Sequence, residues 1–263
     1  MGARLDQHFL SDPRARDAIV ALARLRPDDR ALEIGPGRGM LTKELLSRAR
    51  EVLAVELDSA LAARLPEVLG GPANLRVINA DFLELNLSSL EPGPWKVVAN
   101  LPYAVATPIL QRLLGWPAWQ QAVLMFQKEV AQRIVAGPGG CDYGLLTLSV
   151  AIHAEAELAF EVPRESFSPK PKVASAVVLL RRRPQPLVPA EEQAWFFRVA
   201  RAAFGQRRKM ALGVLSRALG VSRETMAEAF AACSLPLSAR AEEISLEGWR
   251  GLAQRLAIAA HGT

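Results

Sequence analysis

Glu33-Ile34-Gly35-Pro36-Gly37-Arg38-Gly39-Met40-Leu41-Thr42 (EIGPGRGMLT, 33–42) joins a short apolar run to the start of a helical pattern. Glycines at alternate positions let the backbone turn tightly and approach a ligand closely. The helix that follows begins with unpaired N–H groups, and these face the same space. The loop is not a dinucleotide fingerprint, because the third glycine of GxGxxG is replaced by Met40. By itself it is also compatible with a tight strand–helix turn that holds nothing.

Working outward, apolar runs of strand length alternate with helical patterns from residue 17 to about 180. Strands are expected at 31–34, 52–56, 75–79, 96–99 and 122–125. Helices are expected at 17–25, 41–48, 59–69, 108–114, 128–135 and 145–154. Runs 158–162 and 173–180 read as a closing antiparallel pair. This alternation gives an α/β fold with a mostly parallel sheet covered on both faces. The stretch Arg181-Arg182-Arg183-Pro184-Gln185-Pro186-Leu187-Val188-Pro189 is charged and then proline-rich, and reads as a linker. Beyond it the period is helical only, at 191–204, 208–219, 223–232 and 246–259, with Ser222 at a helix N-terminus. The expected division is a domain over 1–183 and a small all-α domain over 184–263.

The 263 residues, 50% of them hydrophobic, suffice for one large core or a core with a satellite. A net charge of +5 suits a polyanionic partner. Cys141 and Cys233 form no CxxC or Cys/His cluster, so a disulfide framework or a metal site is not expected. The N-terminal stretch lacks the apolar segment of a signal peptide, and no run reaches membrane-spanning length. A cytoplasmic, monomeric protein is the expectation.

Two acidic residues give the glycine loop a ligand. Glu56 ends the second strand in Val55-Glu56-Leu57-Asp58, and Asp81 follows the third in Asn79-Ala80-Asp81-Phe82. In a doubly wound sheet both lie beside the loop, at the carboxyl edge. Glu56 can accept two ribose hydroxyls, and Asp81 can accept an exocyclic amine of adenine. No lysine in the loop answers a phosphate. A nucleoside without pyrophosphate fits, and S-adenosylmethionine is such a ligand.

The fourth strand ends on the same edge in Asn100-Leu101-Pro102-Tyr103. Suppose the reaction is methyl transfer to N6 of an adenine, a poorly nucleophilic nitrogen. The Asn100 side-chain carbonyl and the Leu101 backbone carbonyl can accept its N–H bonds and stabilise the developing positive charge. Pro102 fixes φ and so holds that carbonyl. Tyr103 offers a stacking face worth about 1–3 kcal/mol per base. Phe167, in Phe167-Ser168-Pro169-Lys170-Pro171-Lys172-Val173, is a candidate for the other face of a flipped base. The plainer alternatives are a turn with a core Tyr, and a core Phe at a loop end.

Taken in order, these motifs resemble the ribosomal RNA adenine N6,N6-dimethyltransferase family. The series is Gln7-His8-Phe9-Leu10, EIGPGRGMLT, VELD (55–58), NADFL (79–83), NLPY (100–103), FQKEV (126–130) with Arg133, Tyr143-Gly144, FSPKPKVASAV (167–177) and FGQRRK (204–209). The resemblance implies a Rossmann-like class I methyltransferase sheet, a small helical C-terminal domain and S-adenosylmethionine as donor. It implies two adjacent adenines near the 3′ end of small-subunit rRNA, in the maturing 30S subunit, as substrate. By motif, the cofactor residues are His8, Leu10, Gly35, Gly37, Glu56, Asp81 and Asn100, and the catalytic stretch is Asn100, Leu101, Pro102 and Tyr103 with Phe167. One departure is clear: the family usually has Asn where this chain has His8, which puts the contact of position 8 with the donor in question.

Arg181, Arg182, Arg183, Arg207, Arg208 and Lys209 form the expected RNA contacts, gripping phosphates in a salt-sensitive way. Two rival readings stay open: a large-subunit rRNA adenine methyltransferase conferring antibiotic resistance, and a non-catalytic RNA-binding assembly factor. Leu101, where the resistance group more often has Ile, favours the small subunit. The intact Glu56, Asp81, Asn100 and Tyr103 favour an enzyme.

Overall fold

A computed structural model describes residues 8–90 and 92–261, with side chains described as far as 257. Gln7, at the start of the first motif, lies outside the described residues. The chain forms two compact units, one of residues 1–131 and 154–183, the other of 132–153 and 184–263.

The first unit is built on seven strands: β1 (Arg30–Ile34), β2 (Glu51–Glu56), β3 (Leu75–Asn79), β4 (Trp95–Asn100), β5 (Trp119–Gln127), β6 (Ala154–Val162) and β7 (Ser175–Arg182). Their spatial order is β3-β2-β1-β4-β5-β7-β6. The first five are parallel, and β7 runs antiparallel between β5 and β6. Strands such as 52–55 and 97–99 are continuously apolar because both faces are covered. One exception explains itself: Lys96 is buried at the start of β4, its Nζ 2.7 Å from Asp29 and bonded to the Arg24 carbonyl. The helices are α1 (Pro13–Ala23), α2 (Met40–Leu46), α3 (Ser59–Val68) and α4 (Ala106–Gly115), while α5 (Lys128–Val135) starts in this unit and ends in the second. Helix α1 begins four residues before the expected start, because Asp12 caps it by accepting from Arg14 N–H and Pro13 opens the first turn.

Strand order reverses between β1 and β4, and every strand from β1 to β5 delivers its carboxyl end to one edge. Register puts Ile34 beside Val55, Glu56 beside Asn79, and Asn100 beside Met125. That edge, at the point of reversal, is where α/β sheets bind ligands.

The second unit holds α6 (Leu145–His153), α7 (Ala190–Phe204), α8 (Ala211–Leu219), α9 (Arg223–Ala232) and α10 (Leu246–His261). The sequence division at 183/184 therefore needs a correction: residues 132–153 pack with the helical unit. The reason is their own side chains. Tyr143, Leu148 and Ile152 are buried in one core with Phe196, Leu215, Phe230 and Trp249. Tyr143 also donates to the Ile244 carbonyl at 3.0 Å.

Candidate functional site

The glycine loop owes its path to conformations other residues resist. Gly35, Gly37 and Gly39 have φ of 68°, 56° and 79°. A Cβ on Gly37 would stand 2.9 Å from the Phe9 ring, and one on Gly39 would stand 2.8 Å from Leu65 Cδ1. The loop is thus glycine-rich on two counts, φ and crowding.

Glu56 closes the turn from the neighbouring strand. Its Oε2 accepts from Gly37 N–H at 3.0 Å and its Oε1 from Asp58 N–H at 2.9 Å. Each oxygen keeps a lone pair for a ligand. Asn79 holds this strand end by donating to the carbonyls of Glu56 and Leu57. Asp58, by contrast, caps α3 through Ala60 and Leu61 N–H. Asp81 accepts from Leu83 N–H at 2.8 Å, which orients its loop.

These groups line one cleft of roughly 1090 Å³ counted out to its open mouth. His8, Leu10, Gly35, Gly37, Glu56, Asp81, Asn100, Leu101, Pro102 and Tyr103 all border it. Of the expected cofactor and catalytic residues, Phe167 alone does not. It is 4% exposed and packs in the core with Leu10, its partner in a two-stranded pair that joins Phe9–Leu10 to Phe167–Ser168. That pairing turns the Phe167 ring inward, beside Leu10 and away from solvent.

Asn100 is oriented by a backbone group. Its Nδ2 donates to the His8 carbonyl at 3.1 Å. A carbonyl only accepts, so the amide nitrogen must face His8 and Oδ1 must face away from it. Tyr103 is fixed by a 2.6 Å hydrogen bond between its hydroxyl and Ser175 Oγ on β7. Burial pushes the Tyr103 phenol above its ordinary range, with Ser175 opposing in part, so the hydroxyl stays neutral.

Sequence reasoning misses one residue that lines the cleft. Glu33, inside β1, is 1% exposed and its Oε2 has no hydrogen-bond partner. Burial is the main reason its carboxyl is pushed up to about 8. Thr42 opposes this in part, and the Glu56 carboxylate adds to it. An acidic residue between apolar ones in a strand with both faces covered was the signal in the sequence.

The basic residues divide. Arg181 and Arg183 pair with Glu157 and Glu155 across β6, each at 3.2 Å. Arg182 is half-buried, donates to the Leu114 carbonyl and lies 5.4 Å from the Trp119 ring centroid. Burial lowers its guanidinium from the usual value. Arg207 donates to the carbonyls of Cys141 and Tyr143. Arg208 and Lys209 are exposed. Among the described residues no group of His, Cys, Asp and Glu could hold a metal, and no helix is long and apolar enough to cross a membrane.

Known proteins match this arrangement along nearly the whole chain. "Ribosomal RNA small subunit methyltransferase A" of Synechococcus sp. (strain JA-3-3Ab) is 42% identical, over 96% of this chain and 92% of its own length. The protein of the same name from Acaryochloris marina is 40% identical, over 95% and 94%. Among solved structures, a dimethyladenosine transferase from Plasmodium falciparum superposes with a TM-score of 0.79 at 25% identity, covering 97% of this chain and 98% of that one. The 23S rRNA methyltransferase ErmE does so with 0.76 at 32% identity, covering 95% and 99%. The model of the family described as ribosomal RNA adenine dimethylase matches residues 2–249, and the chain belongs to that family.

Proposed function

We propose that this cleft takes S-adenosylmethionine and that the chain dimethylates N6 of two adjacent adenines near the 3′ end of small-subunit rRNA, in the maturing 30S subunit. The reading makes it a cytoplasmic enzyme. The observation that carries it is the fixed amide of Asn100: with Nδ2 held by the His8 carbonyl, Oδ1 is left to accept an N–H from the target amine. The donor end fits as well. Glu56 offers two acceptors to ribose hydroxyls, and Glu33 has an unpartnered oxygen within the same cleft.

When bound, the cofactor supplies an activated methyl on a cationic sulfur. The protein aligns and solvates. Tyr103, braced by Ser175, presents a ring for base stacking. Asn100 Oδ1 and the Leu101 carbonyl stabilise positive charge as it develops on N6. Positioning accounts for much of the remaining acceleration. Arg208 and Lys209, exposed, are the proposed phosphate contacts of the helical unit. Arg181, Arg182, Arg183 and Arg207, each with partners inside the protein, serve RNA binding less directly.

The large-subunit alternative draws support from the superposition on ErmE. Against it stand Leu101 and the higher identity to the small-subunit relatives. Incubation with labelled S-adenosylmethionine and undermethylated small or large subunits separates the readings. Label on adenines of small-subunit rRNA is expected, and label on the large subunit alone would favour the alternative. Asn100→Ala should lower turnover by about tenfold or more, with RNA affinity kept, since lost electrostatic donors or acceptors at a reacting centre cost about 10²–10³ in rate. Unchanged turnover would remove Asn100 from the chemistry.

A further inference from the structure

The cleft needs a place for a proton. Each methyl transfer uses the N6 lone pair to form an N–C bond, while the C–S pair stays on sulfur. The nitrogen becomes cationic and must then lose a proton. Asn100 Oδ1 and the Leu101 carbonyl accept hydrogen bonds, but neither is basic enough to take that proton. Glu56 spends its carboxylate on Gly37 and Asp58 N–H, in the donor half of the cleft.

His8 stands on the acceptor side. Its ring centroid is 5.6 Å from that of Tyr103, and its own carbonyl holds Asn100. Its Nδ1 lies 2.8 Å from the Pro169 carbonyl. A carbonyl cannot donate, so Nδ1 carries a hydrogen and the neutral ring has its lone pair on Nε2. This anchor survives protonation, because Nδ1–H donates in both charge states. The ring can therefore gain and lose a proton at Nε2 without moving. Half-buried at the cleft, it can pass the proton on to water. The charged and titratable groups that share the cleft with it are Tyr103, Glu33, Glu56, Asp81 and Arg38, the last lying 4.5 Å from the neighbouring Phe9 ring centroid. Lys170 and Lys172 follow Pro169, with Lys170 paired to Glu165.

We propose that His8 is a catalytic residue of this chain, and that its Nε2 takes up the proton that N6 loses on methylation. The inference rests on the function proposed above. It assigns a role to the one position where this sequence departs from the family's usual Asn.

The decisive variant is His8→Asn. Its amide nitrogen can replace Nδ1–H on the Pro169 carbonyl, but it has nothing in place of Nε2. Single-turnover methyl transfer would be followed from pH 5 to 9 at saturating donor, with undermethylated small subunits and the full-length protein. The wild type should show an acidic limb, because a general base works only while its lone pair is free. His8→Asn should lose that limb and fall about tenfold at pH 7.5. This is less than the hundredfold or more typical of general bases, because a methylated cationic nitrogen is already acidic. A second readout needs no turnover. Imidazole ¹⁵N spectra of the wild type, assigned by difference from His8→Asn, should show His8 protonated at Nδ1. An Nε2–H tautomer would overturn the proposal. So would His8→Asn keeping the wild-type rate and limb while His8→Ala fails, since the residue would then only position Pro169. If the wild type labels no adenine in small subunits, the functional reading itself fails, which is a distinct result.

Discussion

Replacing Glu33 by Gln should make the first unit less stable in acid and more stable in alkali. The carboxyl is raised from 4.5 to about 8, chiefly by burial. Between those values the folded state binds a proton that the unfolded state has released. Stability therefore falls as pH rises, by about 1.4 kcal/mol per unit across the window. The whole shift, 8 minus 4.5, is on the order of 5 kcal/mol disfavouring the folded state above pH 8. Gln carries no charge and escapes this, but its amide N–H₂ meets the place where Oε2 already has no partner. That costs about 1–3 kcal/mol at every pH. The wild type should therefore be the more stable below pH 5, and the Gln variant the more stable above pH 8, with curves that cross between. Because the chain has two units, the measurement should be local: hydrogen exchange in urea, read on the peptides that cover 30–34 and 51–56. Other titrating groups cancel in the difference between the two proteins. A difference that stays constant from pH 5 to 8.5 would refute the assignment of Glu33 as a neutral buried acid. The functional counterpart is that donor binding to the wild type releases a proton near pH 7, visible by calorimetry in buffers of different ionisation heat, and that Glu33→Gln abolishes the release.

Two further outcomes follow from packing and charge. Gly37→Ala combines a φ of +56° with a Cβ 2.9 Å from Phe9, so the loop must move and the Gly37 N–H bond to Glu56 must loosen. Donor affinity measured by titration calorimetry should drop about tenfold, from strain of about 1–3 kcal/mol. Gly71→Ala, with similar φ and open space around it, should leave affinity alone. Replacing Arg208 and Lys209 together by Ala should weaken subunit binding and lower the slope of log affinity against log salt by about one per lost phosphate contact. Arg207→Ala should instead lower the stability of the helical unit, because it removes bonds to the Cys141 and Tyr143 carbonyls.

The sheet edge was legible because its determinants are local. Positive-φ glycines, a carboxylate at a strand end and a rigid Asn-Leu-Pro-Tyr turn each announce themselves within a few residues. The strand order then converts these separate motifs into one cleft. What was not legible is long-range. Phe167 reads as a ring free to face a base until its pairing with Leu10, more than 150 positions earlier, turns it inward. Residues 132–153 read as a continuation of the sheet domain until Tyr143 and Ile152 are found in a core with Trp249. The Arg181–Arg183 triple reads as an RNA patch until alternate residues meet Glu157 and Glu155 on the adjacent strand. A charge run in one strand says nothing of the charges its neighbour will present.

The cleft also has a polarity that follows from the chemistry. Acids gather at the ends of β1, β2 and β3, with Glu33, Glu56 and Asp81, while the end of β4 carries only neutral groups, Asn100, Leu101 and Tyr103. During transfer, positive charge leaves sulfur and arrives on nitrogen. A carboxylate beside sulfur stabilises the donor before reaction and loses that interaction as charge departs, so more acid there would deepen the ground state. Glu33 avoids part of this by being neutral when the cleft is empty. A carboxylate in place of Asn100 would attract the same cation from the wrong side. An amide whose nitrogen is tied to a backbone carbonyl has only its oxygen to offer, a dipole already aimed before any charge appears. Stabilisation of that kind needs no reorganisation at the moment of transfer, and this is what favours Asn over Asp at the end of β4.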